Sequence, residues 1–459
     1  MIPRAETVVS VAVPVNDVRR ARGCHLTRAT AGLALAVFLV CLAPMSGRES
    51  SSQGGAAPLD QFDRYNVVWP TPSRDASGSM PIGNGEVGLN AWVEEDGDLL
   101  FYIARTDAWS EISRLLKLGR VRVSLSPNPF GKGRPFIQEL KLRDGRIEIK
   151  AGAAGAPGSR VTLGLFVDAR YPVVHLVGES DEPLSVRVAI EAWRTAKRTL
   201  TGDELQSTWT MQQAPAEVPV WESGDVVEAP LHNSVTWYHR NAYSIVPLTL
   251  ERQGLANHAG LVADPLVNRT LGGRILGQGF TGHEPAAIRT ATPLRRFHVR
   301  VVAHSAQTAT VAAWKQQVND LAERTADPTA ARRATAGWWN AFWNRSWIFV
   351  DGEQGEAVTR AYVLQRWMTA AAGRGAYPIK FNGSIFTVDA VDGGQHCDAD
   401  YRRWGGCYWF QNTRLPYWAM LYAGDFDLLG PLFRMYREAL PLARERTRKY
   451  YGHAGAFFP

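Results

Sequence analysis

From about residue 62 to residue 304, hydrophobic and polar residues alternate in short runs that turn residues separate. Residues 138–152, QELKLRDGRIEIKAG, show this most clearly, because two alternating segments flank Asp144 and Gly145. An Asp-Gly pair in this position predicts a hairpin with a two-residue turn. Later runs, such as VVHLVGE (173–179) and SVRVAIEAW (185–193), read as further separate strands. Strands at this spacing, without helical periodicity between them, predict a large antiparallel β-sandwich.

Near residue 310 the pattern changes to a helical one. Segments 310–324 and 327–347 are rich in Ala, and Trp339, Trp343 and Trp347 recur at four-residue steps. Side chains at this spacing share one face of a helix, so we predict a connecting helix whose aromatic face packs on the sandwich.

Three further helices are predicted after this connection, over residues 353–373, 408–422 and 425–450. Asp425 is a candidate N-cap for the last of them, and Gly452 suits its C-terminus. The loop over 377–406 is long, polar and rich in Asp and Gly, which is typical of a functional loop.

The N-terminal 50 residues have the pattern of an export signal. Residues 30–45 form an apolar run, a basic stretch precedes it, and small and polar residues follow it. The run is short for a membrane span. We therefore expect a secreted or periplasmic protein with no stable membrane association after signal cleavage, and an uncleaved membrane anchor is the alternative.

The charge of the chain does not indicate a nucleic-acid partner. The formal net charge is +7, of which the first 50 residues carry +3, leaving +4 for the rest. No basic stripe is clustered in that remainder, so nucleic acid is excluded as the expected partner.

Of the four cysteines, Cys24 and Cys41 lie in the leader, and Cys397 and Cys407 lie ten residues apart in one loop. In an exported protein a local disulfide is the leading interpretation of the second pair, with two free thiols as the alternative.

Candidate sugar-binding residues lie in this loop and at the start of the helix that follows it. The chain has 16 Trp residues, most of which we expect in cores. Sugars, however, are held by flat aromatic faces together with amide and guanidinium groups. The residues of this kind are Asn382, Trp404, Trp409, Gln411, Asn412 and Arg414. They predict an oligo- or polysaccharide partner. The structural alternative is that Trp409 packs in a core and Asn412 caps the helix.

The same loop contains several acidic residues: Asp389, Asp392, Asp398 and Asp400, with His396 among them. They allow a calcium-binding interpretation, but their spacing differs from that of a calcium loop, and Arg402 and Arg403 are available to neutralise them. We therefore predict no cofactor, with calcium as the alternative.

Together these motifs resemble glycoside hydrolase family 95, the α-L-fucosidase-like six-hairpin glycosidases, in a branch with its own N-terminal β domain. The resemblance covers roughly residues 60–459. It is carried by WPTPSRDASGSMPIGNGEVGLNAWV (69–93), RTDAWSE (105–111), LKLGRVRVSLSPNPF (116–130), WWNAFWNRSWI (338–348) and the segment from QNTRLPYW to KYYG (411–452).

The resemblance implies a multidomain β + α protein with an N-terminal antiparallel β-supersandwich, a helical linker and an incomplete (α/α)6 toroid. The corresponding ranges are 1–50 for the leader, 51–60 for a flexible linker, 61–308 for the sandwich, 309–349 for the helical linker and 350–459 for the first part of the toroid. Twelve helices need on the order of 200–300 residues, so we expect this chain to hold only part of the toroid.

The family's chemistry is inverting hydrolysis of a glycosidic bond by a Glu acid and an Asp base. Both lie further along the family's toroid than the segment that matches Asp425 to Gly452, so we expect them beyond Pro459. No residue here therefore takes either role, and we expect the chain to be inactive alone.

Asn412 falls on the second of two Asn that position the family's water, whereas Phe410 stands at the first. The alternatives to a glycoside hydrolase are a non-catalytic carbohydrate-binding protein and, ranked below it, a polysaccharide lyase.

Overall fold

The computed structural model describes residues 59–131, 133–152, 160–392 and 395–458. The predicted leader therefore lies outside the described residues. The strands are β1 (Val67–Trp69), β2 (Met80–Gly83), β3 (Val87–Val93), β4 (Leu99–Trp109), β5 (Leu115–Ser126), β6 (Phe136–Lys141), β7 (Arg146–Ala151), β8 (Val161–Val167), β9 (Val173–Glu191), β10 (Arg198–Thr199), β11 (Trp221–Glu222), β12 (Val226–Val227), β13 (Ser234–Arg240), β14 (Arg269–Gly277), β15 (Phe280–Glu284), β16 (Ala287–Thr290), β17 (Leu294–Gln307), β18 (Ala390–Asp392) and β19 (Gln395–Cys397).

The α-helices are α1 (Val246–Arg252), α2 (Val311–Arg324), α3 (Pro328–Trp343), α4 (Glu353–Ala372), α5 (Phe410–Tyr422) and α6 (Gly430–Tyr451). A 3₁₀ segment, Gly202–Met211, lies between β10 and β11, and another, Phe426–Leu429, precedes α6. None of the described helices combines the length and hydrophobicity that a membrane span requires.

Two antiparallel layers share strand β9. The first layer runs β1-β6-β7-β8-β9-β17-β14-β13-β12, and the second joins β2, β3, β4 and β5 to β9 and then to β16 and β15. The N-terminal part of β9 pairs with β8 and β17, and residues 185–191 pair with β5. The two runs that read as separate strands in the sequence are therefore one strand, because β9 leaves one layer and enters the other without a break.

The predicted fold class is confirmed: a large antiparallel β region precedes the helices. Its core is apolar on both layers, and every residue of β3 and β4 is buried. The described residues supply α4, α5 and α6 to the region predicted as a toroid, so the closed (α/α)6 ring itself stays a prediction, as do the domain boundaries.

The hairpin at Asp144-Gly145 exists, but its predicted two-residue turn is wrong. Lys141 pairs with Arg146, which leaves a four-residue loop. Leu142 leaves the ladder because its backbone N–H donates to the Asn66 side-chain oxygen at 3.0 Å, and the Gly145 N–H closes the loop on the Lys141 carbonyl at 3.0 Å. Gly145 has a φ of 67°, and a Cβ there would collide with the Trp339 indole of α3. The loop is thus shaped by its contact with the connecting helix.

The connecting helices α2 and α3 match the prediction closely. The Asp327 carboxylate caps α3 by accepting hydrogen bonds from the backbone N–H groups of Thr329 and Ala330. The Trp343 indole donates to the Leu142 carbonyl oxygen at 2.9 Å, and Trp339 stacks on Trp367 of α4 at 4.2 Å. The aromatic face therefore packs on both the sandwich and α4.

Two details of the helical region differ from the prediction. Trp347 lies beyond the end of α3 and is 41% exposed, so it is not part of the buried face. Asp425 does not cap a helix with its side chain; it is buried and accepts a bidentate pair of hydrogen bonds from Arg366 of α4. The charge-assisted hydrogen bonds from the buried Arg366 guanidinium are stronger than a capping hydrogen bond from a backbone N–H.

Candidate functional site

The loop between α4 and α5 folds back on itself, so that residues distant in sequence become neighbours. The Lys380 ammonium donates to the Cys407 carbonyl, and the Asn382 amide donates to the Arg403 carbonyl. The Tyr417 hydroxyl of α5 accepts a hydrogen bond from the Ile379 N–H at 2.8 Å. These contacts bring segment 379–384 against segment 402–409 and the first turns of α5.

Three aromatic rings meet at this junction. Trp409 stacks on Phe381 with ring centres 6.0 Å apart, and its edge meets Trp209 at 5.7 Å. Trp209 belongs to the 3₁₀ segment of the β region. We call these rings with the neighbouring Trp404 the aromatic platform (Trp209, Phe381, Trp404 and Trp409). It joins the β region to the loop and to α5.

Trp404 is the exposed member of the platform. Its side chain is 42% exposed, and its backbone has a φ of 55°, a conformation that a bulky residue adopts at a cost. The next residue fixes it in place, because the Gly405 N–H donates to the Gln206 carbonyl at 2.8 Å and the Gly405 carbonyl accepts from the Trp209 N–H at 3.0 Å. An indole held at the surface by a strained backbone is typical of a functional position.

The six predicted sugar-binding residues fall into two groups. Asn382, Trp404 and Trp409 come together at the platform. Gln411, Asn412 and Arg414 lie on the first turns of α5.

The side chains of Gln411 and Asn412 are exposed and have no hydrogen-bond partner in the described part of the chain, so Asn412 is not a side-chain cap of α5. The Arg414 guanidinium lies 5.0 Å from the Trp418 ring and faces along the helix.

The predicted catalytic acid and base have no position in the structure. They are expected beyond Pro459, and Pro459 itself lies outside the described residues, which end at Phe458. The expectation that both carboxylates follow this residue therefore stays a prediction, and the catalytic residues of the whole protein are not assigned.

Several buried polar atoms around the platform lack a partner among the described residues. They are Asn382 Oδ1, Ser384 Oγ, Arg402 Nε, Thr413 Oγ1 and Arg414 Nε. Most buried polar atoms in proteins are hydrogen-bonded, and unpaired ones concentrate at functional sites. Their position beside exposed aromatic rings marks this junction as the candidate site.

Two acidic residues of the loop, Asp398 and Asp400, are held by arginines of the β region, which differs from the expectation for Arg402. Asp398 accepts from Arg114 at 2.9 Å, and Asp400 accepts from Arg194 at 2.6 Å. Arg402 instead donates to backbone carbonyls within the loop. In the described parts of the chain no three metal-ligating side chains converge, so the structure contains no support for the calcium alternative.

The arginine-held carboxylates belong to a buried ionic network between the sandwich and the loop. Arg194 also pairs with Asp225 at 2.9 Å, and His239 lies between Asp225 and Glu111 at 3.1 and 3.2 Å. Burial alone would lower the pKa of His239, but the two hydrogen-bonded carboxylates raise it to about 9. His239 is therefore a buried cation at neutral pH.

Two buried lysines lie close to the platform. Burial, assisted by the positive charge of Arg402, lowers the pKa of both Lys117 and Lys380 to about 7. Lys117 donates to the Ile385 carbonyl at 2.6 Å, and the Lys380 ammonium lies 4.5 Å from the Tyr408 ring centre. Both side chains are enclosed, so they support the loop and do not contact a ligand at the surface.

Cys397 and Cys407 are not joined by a disulfide, so the leading interpretation of this pair is wrong and the alternative of two thiols holds. The two residues are held by different contacts: Cys397 is the last residue of strand β19, and the Cys407 carbonyl accepts a hydrogen bond from Lys380.

Sequence reasoning missed Trp209 and Phe381 as members of the platform. Trp209 lies 200 residues before Trp409, within a segment that has no clear periodicity. Phe381 is adjacent to the predicted Asn382, and an aromatic residue next to a candidate sugar contact is the only signal that pointed to it.

A family comparison covers most of the β region and the connecting helices. Residues 68–348 match the family described as a domain of unknown function, DUF5703. This chain belongs to that family. The match ends before the loop and α5, so it does not assign the platform. No curated protein matches the chain.

The solved structures that resemble this chain do so loosely. One, assigned as a kojibiose phosphorylase from human microbiome, is 13% identical over 86% of this chain and 51% of its own, with a TM-score of 0.46. Another is a bacterial glucoamylase complexed with acarbose, 12% identical over 80% of this chain and 52% of its own, with a TM-score of 0.37. The chain spans about half the length of both, and no functional assignment rests on either likeness.

Proposed function

We propose that this chain is the carbohydrate-recognising part of a glycoside hydrolase-type protein that acts on an extracellular or periplasmic glycan. The observation that supports the proposal is the aromatic platform: exposed Trp404 and half-buried Trp409 lie in the loop that leads into α5, and the first turn of α5 carries the exposed amides of Gln411 and Asn412. Ring faces bind the C–H surfaces of a sugar, and amides bind its hydroxyls, so the set matches a neutral saccharide.

The proposed chemistry of the whole protein is inverting hydrolysis by two carboxylates, as in glycoside hydrolase family 95. Such a mechanism needs one carboxyl group to act as an acid and another to activate water. Two carboxylates of the loop that carries the platform are already paired: Asp398 with Arg114 and Asp400 with Arg194. We therefore assign neither role to them and expect the chain to bind without turnover.

The surface of α5 and α6 favours the hydrolase-domain proposal over a free-standing binding protein. Leu415, Trp418 and Tyr422 share the outer face of α5, and Phe426 and Phe433 follow on the next segments, each at least half exposed. Contiguous apolar surfaces of this kind are normally covered in the functional protein. In our proposal the remaining helices of a toroid cover them.

Binding to polysaccharides tests the proposed function. Affinity electrophoresis against a panel of soluble plant and bacterial polysaccharides should retard the wild-type chain in at least one gel. Trp404→Ala should weaken that binding about five- to tenfold, the amount that an aromatic stacking contact contributes.

Trp347→Ala is the matched control, because Trp347 is 41% exposed, like Trp404 at 42%, but lies outside the platform. The proposal fails if no polysaccharide retards the chain, or if the two variants behave alike.

A further inference from the structure

A cavity lies close to Trp109, at residues that the platform does not include. Its volume is about 620 Å³, and it opens between the end of β4, the segment before β14 and the first half of α6. The Trp109 ring lies 6.1 Å from Tyr377, which lines this cavity, and 5.9 Å from Tyr408, which precedes the platform residue Trp409. Trp109 thus contacts one residue of the cavity wall and the residue that precedes Trp409 of the platform.

The base of the cavity is polar and rigid. Asp107 and Arg269 are both less than one-tenth exposed, and the Arg269 guanidinium lies 3.7 Å from the Asp107 carboxylate. Arg269 is fixed by donating to the Pro265 carbonyl at 2.7 Å and to the Ser305 hydroxyl at 3.0 Å. Arg269 also donates to the Gln307 amide oxygen at 3.4 Å, and since a guanidinium has five N–H donors, these contacts do not use all of them.

The rim carries polar groups without partners. The Tyr377 hydroxyl makes no hydrogen bond to any residue that the structure describes, and its pKa is raised by burial, which keeps it a neutral donor. Arg434 and Glu438 lie one turn apart on α6, are exposed, and form no ion pair within the described chain. Arg434 precedes Glu438, which is the less favourable order for an ion pair at this spacing, so both charged groups are available to a ligand.

The lining matches a small uncharged polyol. The lining contains two guanidinium groups (Arg269 and Arg434) and two carboxylates (Asp107 and Glu438), with Val262, Pro265 and Met435 as apolar wall. Asp107 also pairs with the buried Arg105, whose second partner is Glu86, so the charges around the cavity remain balanced. Balanced charge gives no preference for an anion or a cation, whereas alternating donors and acceptors beside apolar surface suit hydroxyls on a C–H frame. The volume lies within the range of small-molecule pockets, about 300–1,000 Å³.

We propose that this cavity is a saccharide-unit binding site distinct from the platform, with Tyr377 and Glu438 as its hydroxyl-recognising residues. Glu438 accepts from sugar hydroxyls, and the Tyr377 phenol donates to one. The proposal shares its ligand class with the proposed function but rests on different residues, so either can fail alone.

Saturation-transfer NMR on the full chain, with methyl glycosides of glucose, galactose, mannose, xylose and fucose, tests the site. At least one glycoside should bind, and Tyr377→Phe and Glu438→Gln should each weaken it about fivefold, as expected for one lost hydrogen bond. Arg437→Gln is the control on the same helix, since Arg437 does not line the cavity.

Thermal unfolding verifies that each variant folds, and Tyr377→Phe keeps the ring that packs on Trp109. Binding that survives both substitutions but is lost in Trp404→Ala would assign the sugar to the platform alone and overturn the second site. Absence of glycoside binding, or binding of inorganic phosphate or free glutamate in its place, would overturn it as well.

Discussion

The β-sandwich and the helices that follow it bury their side chains to different extents. All 11 residues of β4 are buried, whereas α5, with 13 residues, buries only Thr413, Tyr417 and Met420. The sandwich strands share one continuous core with α3 and α4, whereas α5 and α6 present several aromatic residues to solvent. We therefore expect the free energy of unfolding to depend mainly on the first region.

The largest difference between the two regions is expected in the loss of unfolding free energy caused by tryptophan substitutions. Trp237 of β13 is fully buried, and its indole donates to the Leu118 carbonyl at 2.5 Å. Trp237→Ala should lower the free energy of unfolding by about 3–5 kcal/mol, because it leaves a cavity and an unpaired carbonyl. Trp418→Ala on α5, where Trp418 is half exposed, should change it by less than about 0.5 kcal/mol.

Guanidinium denaturation followed by circular dichroism measures both variants. Equal losses would show that α5 is as integrated into the fold as the sandwich, which would contradict the comparison.

The next largest effect is expected where the loop is anchored to the sandwich. Asp400 is fully buried and accepts from Arg194 and from the Trp193 indole at 2.6 and 2.7 Å. Asp400→Asn should destabilise the chain by about 3 kcal/mol, since it leaves a buried guanidinium without one of its two carboxylates.

Asp427→Asn serves as the control in the same denaturation experiment. Asp427 pairs with Arg345 at the surface and should cost less than about 1 kcal/mol. Similar costs for the two substitutions would mean that the loop anchor adds no more stability than a surface ion pair.

The charge of His239 predicts a pH dependence. Its pKa is about 9 in the folded chain and about 6.5 when unfolded, so its contribution is complete below pH 6.5 and is lost as the pH rises through 9. The loss approaches about 3 kcal/mol. Lys117 and Lys380, whose folded pKa values are lowered, act in the opposite direction above pH 7.

The difference between the wild type and His239→Gln isolates the His239 contribution, because both chains share the lysines. That difference in unfolding free energy should shrink between pH 6.5 and pH 9.5. A constant difference across this range would show that His239 is neutral in the folded chain.

The local pattern of the sequence predicted the elements better than their connections. Alternation located β6 and β7, and four-residue spacing located the buried face of α3, because both depend only on neighbours in the chain. The continuity of β9 was missed, since its central residues, GESDEPL, are those of a turn. Leu142 likewise gave no sign that its backbone would bond the Asn66 side chain and the Trp343 indole instead of the neighbouring strand.

The candidate site was predictable only in part for the same reason. Trp409 and Asn382 were identifiable from residue type within one loop, and the structure brings them together. Trp209 contacts Trp409 from a segment 200 residues earlier in the chain. Asp400 pairs with Arg194 over a similar sequence separation. Contacts of this range depend on the tertiary fold, which periodicity and composition do not contain.

The central claim is that this chain recognises a glycan at the platform and does not cleave it. One sample, titrated calorimetrically with a polysaccharide that retards it and then assayed for released reducing sugar, tests both parts. We predict heat of binding that Trp404→Ala reduces, with no sugar release above the buffer control. Sugar release by the wild-type chain, or binding that Trp404→Ala leaves unchanged, would contradict the account.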